Sequence, residues 1–186
     1  MERGVKDRSV LDEFITKFCD VLEKHCKYII VSGFVAIASG RVRGTEDIDI
    51  ITEKMDRERF LKLHESLIKE GFVCMQSDYP KEIFDDYLSQ KTSVRYTLKE
   101  KPLPEAELKF AKDELDELQL NTRCKLPLTG LDVWFSSINM NIAFKEEYLK
   151  SDKDIEDAKH LRIVYSDLVD EDEINHIKEM IRRLRL

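Results

Sequence analysis

Ser32-Gly33-Phe34-Val35-Ala36 leads, through Gly40-Arg41-Val42-Arg43-Gly44-Thr45-Glu46, into Asp47-Ile48-Asp49-Ile50. Just before it, Tyr28 to Val31 is a short continuous apolar run, the pattern of a buried strand. Ser32-Gly33 breaks that strand, and Phe34 to Ala38 reads as a short helix ending near Gly40. A second strand, Ile48 to Ile51, carries the acidic pair. Side chains alternate along a strand, so Asp47 and Asp49 project from one face. Two adjacent carboxylates beside a turn able to hold phosphate suit a divalent metal and a nucleoside triphosphate.

Upstream, Ser9 is placed to cap a first helix, with Asp12 three residues on and an apolar stripe of Leu11, Phe14, Ile15, Phe18 and Leu22. Downstream, Asp56 caps a helix with Phe60, Leu63, Leu67 and Ile68 inward, and Gly71 suits its C-terminal end. Phe72 to Met75 reads as a strand, and Pro80 to Gln90 as a helix with Ile83, Phe84, Tyr87 and Leu88 inward. Ser93 to Leu98 alternates like a strand. Beyond Lys99, Leu108, Ala111, Leu115 and Leu118 recur at helical spacing behind Pro102 and Pro104, so 99–130 is expected to be an insertion. Leu131 to Phe135 predicts a last strand with Asp132 inside it. Final helices are expected over Ser151 to Tyr165 and Glu171 to Arg185, the latter with Ile174, Ile177, Ile181 and Leu184 inward. The fold class predicted is α+β: a small mixed β-sheet flanked by helices, with a C-terminal helical extension. Residues 1–140 form the core and 141–186 the extension packed on it.

A chain of 186 residues suits one domain, or a core with a helical extension. Hydrophobic content of 42% and charged content of 37% describe a globular protein, not a disordered one. The net charge of −7 argues against a broad nucleic-acid-binding surface but allows a small basic cleft. Cys19, Cys26, Cys74 and Cys124 are scattered, with no CxxC, and are expected to be free thiols of a reducing compartment. Met1-Glu2-Arg3-Gly4 carries no apolar leader and no run reaches the length of a membrane span, so a soluble, cytoplasmic protein is expected.

The segment from Val31 to Ile51 resembles the signature of the DNA polymerase beta-like nucleotidyltransferase superfamily. That signature is an apolar residue, a Gly followed by Gly or Ser, a spacer of about a dozen residues, then Asp-apolar-Asp/Glu-apolar. Here Ser32-Gly33, thirteen intervening residues and Asp47-Ile48-Asp49-Ile50 complete it, with Ser where many members have the first Gly. Arg43 and Thr45, just before the acidic pair, are similar to the small prokaryotic members related to abortive-infection toxins.

The resemblance implies a nucleotidyltransferase fold and a Mg²⁺-dependent transfer of an NMP from an NTP to a hydroxyl acceptor, releasing pyrophosphate. Two Mg²⁺ ions clamp the attacking and leaving oxygens, so carboxylates must reach both. Asp47 and Asp49 would hold them, and a third carboxylate would come from a neighbouring strand. Asp132 is the candidate, because an Asp among apolar strand residues is costly unless a metal, partner or water stabilises it. The backbone at Ser32 and Gly33 would cradle the triphosphate, with Thr45 on the nucleotide side. Arg41 and Arg43 either neutralise phosphate or are loop charges. Relatives of the abortive-infection type carry a Lys-Asp pair in a helix after the catalytic sheet. Lys153-Asp154 matches it, with Lys153 either near the nucleotide or on a solvated face.

Asp85-Asp86 falls in a solvated helical pattern, and the four histidines form no triad or ligand set. Arg182, Arg183 and Arg185 either touch nucleic acid or, the favoured reading, complement the macrodipole of a last helical turn. The acceptor stays open between a tRNA end, a protein side chain and a small molecule. Two other readings stand beside the enzyme: a non-catalytic nucleotide-sensing or partner-binding module, and a toxin–antitoxin component.

Overall fold

Tyr28–Val31 (β1), Asp47–Thr52 (β2), Phe72–Cys74 (β3), Val94–Leu98 (β4) and Glu105–Phe110 (β5) join in one sheet, in the order β1-β2-β5-β4-β3. β2 and β5 run parallel at its centre, and the other neighbours pair antiparallel. The computed structural model describes residues 4–186; Met1, Glu2 and Arg3 of the N-terminal reading lie outside the described residues.

Alternation gives the sheet two different faces. Ile48 and Ile50 of β2, Tyr96 of β4, and Ala106 and Leu108 of β5 are buried in the main core. Helices α1 (Arg8–Glu23), α2 (Gly33–Ala38) and α3 (Arg57–Lys69) share this core, and Ile138, Met140, Leu161, Ile174, Ile177 and Ile181 of the C-terminal part join it. There Phe14 and Phe18 meet Phe72 edge-on, with ring centroids 5.6 and 5.1 Å away. On the opposite face stand Asp47, Asp49, Glu105, Glu107 and Arg95, ending in a small apolar cluster of Ile29, Ile51, Ala111 and Leu120.

Most boundaries follow the sequence pattern. α1 is capped by Asp7 rather than Ser9, because the Asp7 carboxylate accepts the Ser9 N–H at 2.9 Å. α3 has the expected Asp56 cap, though Ile68 is largely exposed. Residues 80–90 (α4) form a single turn of α-helix, then π-helical and 3₁₀ turns.

Two expectations fail. The stretch 99–130 is no helical insertion: it supplies β5 in the middle of the sheet, then α5 (Glu114–Asn121). Leu131 to Phe135 is no strand, since only Phe135 forms isolated bridges, to Ile30 and Cys124.

The tail is helical. Residues 138–149 (α6) run from Ile138–Phe144 into a π-helical turn, Lys145–Leu149, which the sequence pattern did not mark. Asp152–Val164 (α7) opens on a Ser151–Asp154 capping box, and Glu171–Arg185 (α8) buries Ile174, Ile177 and Ile181. α7 packs on α2, and α8 packs on α5 and α6, which brings the tail over the polar face of the sheet. The cysteines are free, and among the described residues no helix is long and apolar enough to cross a membrane.

Candidate active site

The parallel register sets Asp49 opposite Glu107 and Asp47 opposite Glu105. Carboxylate oxygens of Asp47, Asp49 and Glu107, all half-buried, lie within 4.8 Å of one another. Glu107 is fixed by the Ser93 hydroxyl, which donates at 2.8 Å, and by Arg95 Nη2 at 3.3 Å. Two unit charges about 4 Å apart still repel by roughly 4 kcal/mol at an effective dielectric of ~20. Burial and these neighbours push the Asp49 carboxyl up to about 6, and burial with Glu107 raises Asp47. A divalent cation at this point would relieve that repulsion, and three hard oxygen donors are the ligand set for Mg²⁺ or Mn²⁺.

The carboxylate that joins Asp47 and Asp49 in this cluster is Glu107, and Asp132, expected there, lies elsewhere. Asp132 lies in a loop, its side chain 97% exposed and paired with Lys125 at 2.8 Å. Water and a lysine satisfy it, so its apolar sequence neighbours carried no message about a metal.

Ser32 opens α2 at φ +68° and ψ −138°, a backbone region that normally belongs to glycine and costs a serine roughly 1–3 kcal/mol. Ser32 and Asp49 line the same cavity, which sets the turn beside the acidic cluster. A Cβ at Gly33 would stand 2.6 Å from Nη2 of Arg43 and would push that guanidinium from its bond to Asp157. Thr45 donates to the Asp47 carbonyl at 2.8 Å, so it shapes the entry to β2.

Beside Ser32 and Asp49 a cavity of about 140 Å³ opens between the sheet and the tail. Lys109 of β5, Lys145, Phe144 and Tyr148 of α6, and Arg185 of α8 line it. The π-helical turn of α6 carries both Lys145 and Tyr148. Arg185 is clamped by Asp113 at 2.9 Å and Asp116 at 2.7 Å and lies 5.1 Å from the Phe144 ring centroid. The cavity thus offers three cations and an aromatic wall next to three carboxylates. None of Glu107, Lys109, Lys145, Tyr148 and Arg185 was singled out for this site from sequence.

Arg41, Arg43 and Lys153 do not line this cavity. Lys153 is exposed on α7. Arg41 and Arg43 turn to Asp157, which is fully buried: it accepts from Arg41 Nε at 3.3 Å, Arg43 Nη2 at 2.7 Å and Lys145 Nζ at 3.0 Å. Lys145, 1% exposed, takes the place expected for Lys153. Burial raises the Asp157 carboxyl, but Arg43 and Lys145 outweigh it and hold the group below the usual carboxylate range.

No protein-family model and no curated protein matches the chain. Solved structures do. The antibiotic-resistance factor ANT(2'')-Ia, determined in solution, superposes with a TM-score of 0.59 at 16% identity, covering 95% of this chain and 94% of that one. An antigenic nucleotidyltransferase-like protein from Paracoccidioides brasiliensis gives 0.59 at 17% identity, covering 98% and 91%. Together with the mixed sheet and its flanking helices, these neighbours show that the chain has the nucleotidyltransferase fold.

Proposed function

We propose that this protein is a Mg²⁺-dependent nucleotidyltransferase, moving an NMP from an NTP to a hydroxyl acceptor with release of pyrophosphate. The observation that carries this is the convergence of Asp47, Asp49 and Glu107 beside a cationic cavity, on that fold. Asp47, Asp49 and Glu107 would hold two Mg²⁺ ions, which supply Lewis acidity to the attacking and leaving oxygens when bound.

The acceptor oxygen bonds to the α-phosphorus while the bond to the β-phosphate bridging oxygen breaks, and pyrophosphate leaves with that oxygen. The hydroxyl proton passes to Glu107, whose orientation Ser93 and Arg95 fix. Lys109, Lys145 and Arg185 supply positive charge to the triphosphate, and Tyr148 and Phe144 offer the base an apolar wall. In this reading 141–186 is an extension packed on a 1–140 core, and Phe144, Lys145, Tyr148 and Arg185 support its part in the nucleotide site. The acceptor is a tRNA end, a protein side chain or a small molecule. The intact carboxylate set favours catalysis over a purely sensing module.

Calorimetric titration with ATP, GTP, CTP and UTP in Mg²⁺ tests the reading. Metal-dependent binding of at least one triphosphate is expected, lost in the Asp47→Asn/Asp49→Asn variant. Binding of no triphosphate, or binding indifferent to that variant, would remove the basis of the proposal.

A further inference from the structure

A second pocket of about 320 Å³ is lined by Lys6, Arg8, Arg41, Val42 and Arg43, with no carboxylate among the described residues of its wall. It shares no lining residue with the cavity beside Asp49. The pocket is strongly cationic in a chain whose net charge is −7. Behind it, the single buried carboxylate of Asp157 is shared by Arg41, Arg43 and Lys145. With Asp154 3.7 Å from Lys145, two carboxylates face three cations, which leaves one positive charge in excess among the described residues.

The pocket's side chains are not equally available. Arg8 spends its guanidinium on Asp12, Ile37 and Thr129, so it contributes field rather than contact. Arg43 is held by Asp157 through two nitrogens and by the Gly44 carbonyl through the third. Arg41 differs. Only its Nε bonds the protein among the described residues, at 3.3 Å, which leaves both Nη groups as donors. Its side chain is 31% exposed, and the backbone N–H groups of Val42 and Arg43 beside it also take no acceptor among the described residues. A planar, permanently charged fork with unspent donors next to free backbone N–H groups matches the tetrahedral oxygens of a phosphate group.

We propose that this pocket is a second phosphate-binding site, separate from the metal-nucleotide cavity, with Arg41 as its principal ligand. The chemistry recognised is a phosphate group, carried either by the phosphodiester backbone of a nucleic acid or by a small phosphorylated molecule. The proposal does not depend on the nucleotidyltransferase reading.

Inorganic phosphate, added without metal or nucleotide to the ¹⁵N-labelled full chain, tests it. Saturable shifts are expected at the amides of Gly40 to Arg43, and Arg41→Gln should weaken binding by roughly tenfold while Arg41→Lys retains part of it. Thermal melts of both variants check that they are folded. The Asp47→Asn/Asp49→Asn variant should bind phosphate as the wild type does, so failure at one site is told apart from failure at the other. A ten-nucleotide RNA identifies the source: saturation of the same amides at far lower concentration, with a steep salt dependence, points to a phosphodiester backbone. Shifts with phosphate and none with RNA point to a small phosphorylated ligand. Absence of saturable shifts at Gly40 to Arg43 with either probe, or unchanged binding in Arg41→Gln, would overturn the proposal.

Discussion

Two charge clusters stand at the mouth of the sheet, and they are built in opposite ways. At Asp47, Asp49 and Glu107 three carboxylates crowd together with Arg95 as the cation bonded to Glu107. At Asp157 one carboxylate is surrounded by Arg41, Arg43 and Lys145. The first arrangement costs the folded protein energy, because like charges are held together in a partly buried place. The second joins the loop before β2 to α6 and α7 through one buried carboxylate, and leaves both Nη groups of Arg41 unspent among the described residues. A cluster of like charges that destabilises its own fold and adjoins a cavity suits a metal; a cluster of opposite charges binds three elements together and presents Lys145 to one pocket and Arg41 to the other. Charge density alone does not separate the two, but the sign balance within each cluster does.

Variants can break this comparison. The largest effect is expected from Asp47→Asn/Asp49→Asn: nucleotidyl transfer should fall by roughly 10³-fold or more while the metal-free protein melts higher than wild type. A melting temperature that drops instead would mean the carboxylates are structural. Asp157→Ala should do the reverse, stranding buried cations and lowering stability by about 3–5 kcal/mol, read from the urea midpoint.

Titration gives the clusters opposite slopes. With the Asp49 carboxyl at about 6, the folded protein keeps a proton that the unfolded chain releases above its ordinary value of ~3.9. Metal-free stability from Asp49 is therefore greatest below that value and is lost as pH rises to about 6, by on the order of 3 kcal/mol, and Asp49→Asn should flatten the slope. Asp157 works the other way: its carboxyl is lowered, so its contribution is present above the ordinary carboxylate value and fades as pH falls. Chemical denaturation across pH, with and without Mg²⁺, separates the two.

Smaller effects sharpen the picture. Tyr148→Ala should weaken triphosphate binding about tenfold by calorimetry, with little change in stability, since that ring is 38% exposed at the cavity edge. Asp132→Asn should change neither transfer nor melting temperature, because that carboxylate meets only water and Lys125.

Much of this fold is legible in the sequence, because local patterns agree with the tertiary result for β1, α2, β2, α3, β4, α7 and α8. What hides is instructive. Glu105 to Phe110 alternates charged and apolar residues, the mark of a half-buried strand, yet Leu108, Ala111, Leu115 and Leu118 also fit a helix. The period of two was the better signal, and reading it would have set Glu107 and Lys109 on one face. Lys145 lies in Lys-Glu-Glu-Tyr-Leu-Lys, which reads as solvated surface; only its long-range partner Asp157 explains its burial. Ser32 stands where many members have glycine, and its backbone occupies a conformation that favours glycine, which the residue type does not announce.

Mn²⁺ binding followed by electron paramagnetic resonance, with and without a nucleoside triphosphate, tests the central claim most directly. The account predicts that wild type and Asp132→Asn bind Mn²⁺ more tightly when the triphosphate is present, and that Asp49→Asn and Glu107→Gln do not. Equal binding by Glu107→Gln and wild type, or loss of binding in Asp132→Asn, would contradict it.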